Sequence, residues 1–95
     1  MYSLTIPGTV KIIPRKLCME CINLINVEIE DGVEKIDTWA FSKCYNLQMI
    51  MIPSSVKKFG KCVFDKCEDV TIYGQQGSAA ESYAKSNNIR FVEWI

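Results

Sequence analysis

Residues 27–49, Val-Glu-Ile-Glu-Asp-Gly-Val-Glu-Lys-Ile-Asp-Thr-Trp-Ala-Phe-Ser-Lys-Cys-Tyr-Asn-Leu-Gln-Met, decide the fold, because one pattern runs through them and both flanks. Cysteine marks it most plainly: Cys21, Cys44 and Cys67 stand 23 residues apart. Apolar columns fall on the same period: Leu4/Val27/Ile50, Ile6/Ile29/Ile52, Val10/Val33/Val56, Ile13/Ile36/Phe59, Leu17/Ala40/Val63, Cys18/Phe41/Phe64 and Leu24/Leu47/Val70. So does a polar column, Asn23/Asn46/Asp69. Self-similarity at a fixed period of roughly 20–50 residues marks a solenoid or another repeat array.

Each unit reads as one coil. Its apolar-x-apolar start, as in Val27-Glu28-Ile29, alternates as a short strand with one buried face does. A turn follows at Pro7-Gly8, Asp31-Gly32 or Pro53-Ser54-Ser55, residues that set or tolerate turn geometry. The remainder, from about Trp39 to Leu47, returns the chain. One coil cannot bury its own faces, whereas stacked coils turn every column into a ladder with strands roughly 4.8 Å apart.

The last stretch breaks the period. The next strand is expected three residues early, at Val70-Thr71-Ile72-Tyr73. Gly74 and Gly77 predict a turn, and Ser78-Ala79-Ala80-Glu81 is a capping box that opens a short helix. Asn87-Asn88 reads as a left-handed stop, and residues 89–95 as a closing strand. The organisation expected is repeats at 4–26, 27–49 and 50–71 with a cap at 72–95. No matching cap precedes Leu4, which leaves Leu4, Ile6, Val10 and Ile13 as an uncovered coil end and predicts self-association through it.

Ile52-Pro53…Val56…Phe59-Gly60…Val63-Phe64…Cys67, with Ala40-Phe41…Cys44…Leu47 before it, resembles the BspA-like leucine-rich repeat family of bacterial surface proteins. Gly74 through Ala84 resembles the terminator that family carries. Pro14 and Asp37 depart from the pattern at its glycine position, and Leu17-Cys18 replaces Ala-Phe. The resemblance implies a right-handed leucine-rich-repeat solenoid, a strand-rich coil stack with a small parallel sheet and a helix–strand cap. It also implies an interaction or adhesion role at a cell surface.

Composition narrows the function classes. Eleven basic residues balance eleven acidic ones, which disfavours nucleic acid, whose binders draw affinity from a clustered basic excess. No run approaches the roughly 18 apolar residues of a membrane span, so no membrane insertion is expected. The start of the chain lacks a secretory signal pattern, so the reading is a cytoplasmic protein or a fragment of a longer secreted one. Histidine is absent, which removes the commonest general base and the usual triads. No phosphate-cradling glycine loop and no nucleophile elbow occur. The expectation is no catalysis and no cofactor.

Cys18-x-x-Cys21 has the spacing of half a zinc site or a redox pair. Completing it from Cys62 and Cys67 would span two repeats, roughly 9–10 Å, which metal–sulfur bonds of about 2.3 Å do not bridge. A reduced cysteine ladder lining the interior is favoured over a disulfide or a metal site. The acidic run Glu28, Glu30, Asp31, Glu34 and Asp37 reads as a solvated face.

Candidate binding residues come from strand parity. With Val27, Ile29, Ile50, Ile52, Val70 and Ile72 inside, Glu28, Met49, Met51, Thr71 and Tyr73 point outward, and Met51 is expected to stack between Glu28 and Thr71. Trp39, in the column of Lys16 and Cys62, is a second candidate anchor, with the alternative that its ring covers a neighbouring coil. The function expected is a protein–protein interaction or adhesion module with an unidentified protein partner. The alternatives are a spacer or terminal cap of a longer array, or a self-associating intracellular repeat protein.

Overall fold

The computed structural model describes residues 2–94. Among these residues eight strands and one helix follow one another: β1 (Ser3–Ile6), β2 (Ile12–Ile13), β3 (Asn26–Ile29), β4 (Lys35–Ile36), β5 (Met49–Met51), β6 (Lys58–Phe59), β7 (Thr71–Gly74), α1 (Ala79–Ser86) and β8 (Arg90–Glu93). They form a five-stranded sheet in the order β1-β3-β5-β7-β8 and a three-stranded sheet in the order β2-β4-β6. Every pairing is parallel. The expected solenoid is therefore present, each coil running from the large sheet to the small one and back along a return limb.

The repeat columns form the core. Val27, Val33, Ile36, Ala40, Phe41, Cys44, Leu47, Ile50, Ile52, Val56, Val63 and Ile72 have at most 1% of their surface exposed. Parallel rungs put like side chains side by side, as in Leu4 opposite Val27 and Val27 opposite Ile50. Burial of each such side chain contributes about 1.5–3 kcal/mol, which holds the coils in register.

The return limbs contain a feature that residue types do not announce. Lys16, Trp39 and Cys62 have φ of 62°, 59° and 55°, and Glu20, Lys43 and Lys66 have φ of 64°, 61° and 67°. Each coil thus enters the left-handed region twice at a non-glycine residue, at a cost of about 1–2 kcal/mol per position. What offsets the strain is a hydrogen-bond ladder between limbs. Lys16, Cys18 and Glu20 donate backbone N–H groups to the carbonyls of Thr38, Ala40 and Ser42 at 3.1, 2.7 and 2.8 Å. Trp39, Phe41 and Lys43 donate to Lys61, Val63 and Asp65 at 3.1, 3.0 and 2.7 Å. Gly60 marks a close approach between limbs: a β-carbon there would collide with the backbone of Asp37 and Thr38.

The cap forms as expected. Ser78 is the N-cap of α1, and its hydroxyl accepts from the Glu81 N–H at 3.3 Å. Glu81 reaches back to accept from the Gly77 N–H at 2.7 Å and pairs with Lys85 at 3.1 Å. The Gly77 N–H, then Lys85, holds the Glu81 carboxyl below its usual range. At the other end Asn88 is left-handed (φ 56°), and the Ile89 N–H donates to the Ala84 carbonyl at 2.8 Å, the pattern of a Schellman stop. Tyr83 stacks on Phe59 at 4.4 Å and meets Phe64 edge-on at 6.1 Å, so α1 covers the open end of the third coil.

Three expectations are corrected. The fourth rung arrives one residue early rather than three: Ile72 pairs with Ile50 and Tyr73 with Met51. Val70 stays buried in the Leu24/Leu47 column, so the residue lost lies between Val70 and Ile72, where the preceding coil has Gln48 and Met49. The outward columns shift accordingly, to Thr5–Glu28–Met51–Tyr73–Val92 and Ser3–Asn26–Met49–Thr71–Arg90. Thirdly, the first coil is less bare than expected. Ile13 is fully buried and Ile6 nearly so, while Leu4 and Val10 are half-buried. Their side chains point into the coil and are roofed by the second coil; Tyr2, Ile12, Leu17 and Ile22 are the first coil's large apolar groups that are exposed.

Candidate functional site

The outer face of the five-stranded sheet brings together five of the six candidate residues. Ile29, Ile50, Ile52 and Ile72 face inward, and period-2 alternation then forces Glu28, Met49, Met51, Thr71 and Tyr73 outward. Glu28 is exposed, and the other four are half-buried. α1 packs on the inner side, since a β-carbon on Gly74 would meet Phe91 and Ala80. The closing strand adds two residues that sequence reasoning missed: Arg90 lies opposite Thr71, and Val92 opposite Tyr73. Their signal was available in the alternation of residues 90–93, where Phe91 packs against the core. The face is graded. Ser3, Thr5, Asn26 and Glu28 make its first half polar, and Met49, Met51, Tyr73 and Val92 make its second half mainly apolar, with Thr71 and Arg90 beside them.

Trp39 stands apart from that face, on the second return limb at a left-handed position. Its ring is half-buried under the preceding coil, with the Arg15 guanidinium carbon 5.1 Å and the Lys16 ammonium 5.2 Å from its centroid. Cation–π contacts of this kind are worth about 0.5–1 kcal/mol at partly exposed sites. The ring is thus engaged within the molecule.

The cysteines are all free thiols. Cys44 Sγ donates to the Cys18 carbonyl and Cys67 Sγ to the Phe41 carbonyl, each at 3.0 Å. A carbonyl one coil back therefore receives each ladder thiol, which explains why cysteine recurs in that column. Cys21, in the first coil described, is half-buried, a correction to its expected burial, whereas Cys18 is buried. Burial, then neighbouring Cys21, pushes the Cys18 thiol up to about 12. Contact with the Cys67 thiol, then burial, pushes Cys44 up as well, and the same contact draws Cys67 down against its own burial. Donation to a carbonyl requires the protonated thiol in both. No group of three or more metal-ligating side chains occurs among the described residues, and no helix there is long and apolar enough to cross a membrane.

These thiols yield an ordered expectation. In native buffer near pH 7 a thiol reagent should modify exposed Cys62 at once and Cys21 more slowly, and Cys18, Cys44 and Cys67 only on unfolding. Thiolate is the reactive form, so the Cys18 rate should keep rising with pH toward 12. Mass spectrometry of timed samples checks this; early native modification of Cys44 would overturn the ladder.

Stacked 23-residue coils, a continuous parallel sheet and a terminal helix–strand cap define a leucine-rich-repeat solenoid. The chain belongs to the BspA-type leucine-rich repeat family: the model described as BspA type Leucine rich repeat region (6 copies) matches residues 1–91. No curated protein and no solved structure matches the chain.

Proposed function

We propose that this chain is a non-catalytic protein-interaction or adhesion module whose contact surface is the second half of the outer sheet face. The observation that carries the reading is the apolar run Met51–Tyr73–Val92, in register across β5, β7 and β8 with Met49 beside it. These side chains are half-buried on a face that contributes nothing to the core. Methionine adapts to a partner's contours and tyrosine supplies a rigid anchor. Glu28, Asn26 and Arg90 surround them with polar groups, the anatomy of a contact patch with a polar rim. Solenoids use such extended sheet surfaces for recognition.

Changing Met51 to Asp and Tyr73 to Ser tests it. The double variant should keep its denaturation midpoint to within about 1 kcal/mol, because neither residue supports the core. Crosslinks that the wild type forms to partner proteins through this face should disappear. A variant that unfolds would show that the two residues are structural. Unchanged crosslinks would move the contact elsewhere, or leave the chain as a spacer within an array.

A further inference from the structure

The limb-to-limb hydrogen bonds run in one direction, with amides of one coil donating to carbonyls of the next. In the third limb the equivalent donors are the N–H groups of Cys62, Phe64 and Lys66. Among the described residues no backbone or side-chain group accepts from them, although the six matching amides of the first two limbs are all bonded at 2.7–3.1 Å. The cause is in the chain path. After β7 the chain turns into α1 instead of building a fourth limb, so the large sheet continues for two rungs beyond the limbs. What remains is a groove of about 650 Å³, with Cys62, Phe64 and Lys66 on one wall and Tyr83, Asn88 and Arg90 on the other.

We propose that this groove docks a segment of a partner protein in the turned conformation of a return limb, which supplies carbonyls to Cys62, Phe64 and Lys66 as a fourth limb would. The first two limbs show what such a segment looks like. Its carbonyls at alternate residues take the three amides, as those of Thr38, Ala40 and Ser42 do for the first limb. Its middle residue is small and apolar, because Ala40 and Val63 in that column are fully buried. Asp65, Glu68 and Asp69 outnumber Lys66 and Arg90 along the groove, which favours a basic segment. Main-chain hydrogen bonds supply affinity and the buried middle position supplies selectivity, as in strand addition to an open sheet edge. The groove meets the outer sheet face at Thr71 and Arg90 but includes neither Met51 nor Tyr73, so it does not depend on the apolar run proposed above.

The probe is a synthetic peptide of this chain's own residues 37–43 carrying Asp37→Asn, which makes it basic and keeps the side-chain oxygen that accepts from the Thr38 N–H; its carbonyls already perform this task against the first limb. Amide exchange is followed residue by residue in the intact 15N-labelled protein. Without peptide, Cys62, Phe64 and Lys66 should exchange at least about a hundredfold faster than Trp39, Phe41 and Lys43. Peptide at about millimolar concentration should shift those three resonances and slow their exchange by about tenfold or more. The same peptide carrying Ala40→Arg should do neither, and the double variant M51D/Y73S should respond as the wild type does. The proposal is overturned by three amides already protected in the free protein, by no response to the peptide, by equal responses to both peptides, by a response confined to the edge of β8, or by loss of the response in M51D/Y73S.

Discussion

A protein ending at Gly74 should melt at least about 15 °C below the full chain and aggregate as it does so. Removing residues 75–95 takes away α1 and β8. Tyr83 is the ring stacked on Phe59 at 4.4 Å and set against Phe64 at 6.1 Å. Re-exposing two phenylalanines costs about 1.5–3 kcal/mol each, against a total stability of about 5–15 kcal/mol for a small domain. In a domain of this size 1 kcal/mol moves the melting temperature by roughly 4–8 °C, so even the low ends of these ranges give about 12 °C before β8 is counted. That strand pairs with all four residues of β7, and without it β7 becomes a bare edge that templates further pairing. Circular dichroism melts with light scattering read both effects. A truncated monomer with an unchanged transition would show that residues 75–95 do not act as a cap.

The coil columns were legible because burial acts on them one column at a time. Val10/Val33/Val56 and Leu24/Leu47/Val70 keep their chemistry in every repeat, since each side chain meets the same neighbours above and below. The cap was legible for a different reason: Ser78, Glu81 and Asn88 satisfy local backbone groups, and local rules need no knowledge of the fold. The left-handed positions were not legible. Lysine, tryptophan, cysteine and glutamate carry no preference for positive φ, and what holds them there is the ladder between limbs, which exists only once coils are stacked. The outer face was half legible. The expected fourth rung was misplaced by two residues, an even number, which preserves parity, so Thr71 and Tyr73 were correctly assigned outward but each one column too far along, Thr71 beside Met51 instead of Met49 and Tyr73 beside Pro53 instead of Met51. Only pairing across strands fixes the column, and Ile72 opposite Ile50 does so.

Phe41→Ala should be the most damaging single substitution in the limbs, lowering stability by about 3–5 kcal/mol. Phe41 has no exposed surface, and its ring stacks on Phe64 at 5.8 Å with planes 9° apart. The hole left by its ring lies in the second coil, with a coil on either side, so no outer element can move inward to fill it. The neighbouring hydrogen bonds should survive, because they use its main chain: its N–H donates to Val63 and its carbonyl accepts from the Cys67 thiol. The loss is therefore one of packing, and the urea midpoint should fall while the slope of the transition is kept. Cys18 occupies the same column in the first coil and is also buried, but Cys18→Ala removes only a sulfur atom at the edge of the stack. Its effect should be about 1 kcal/mol, near the centre of the range for single substitutions. Urea titration of the two variants beside the wild type measures the contrast. Equal losses would mean that the central coil is no better packed than the first, and that the column does not derive its stability from being enclosed on both sides.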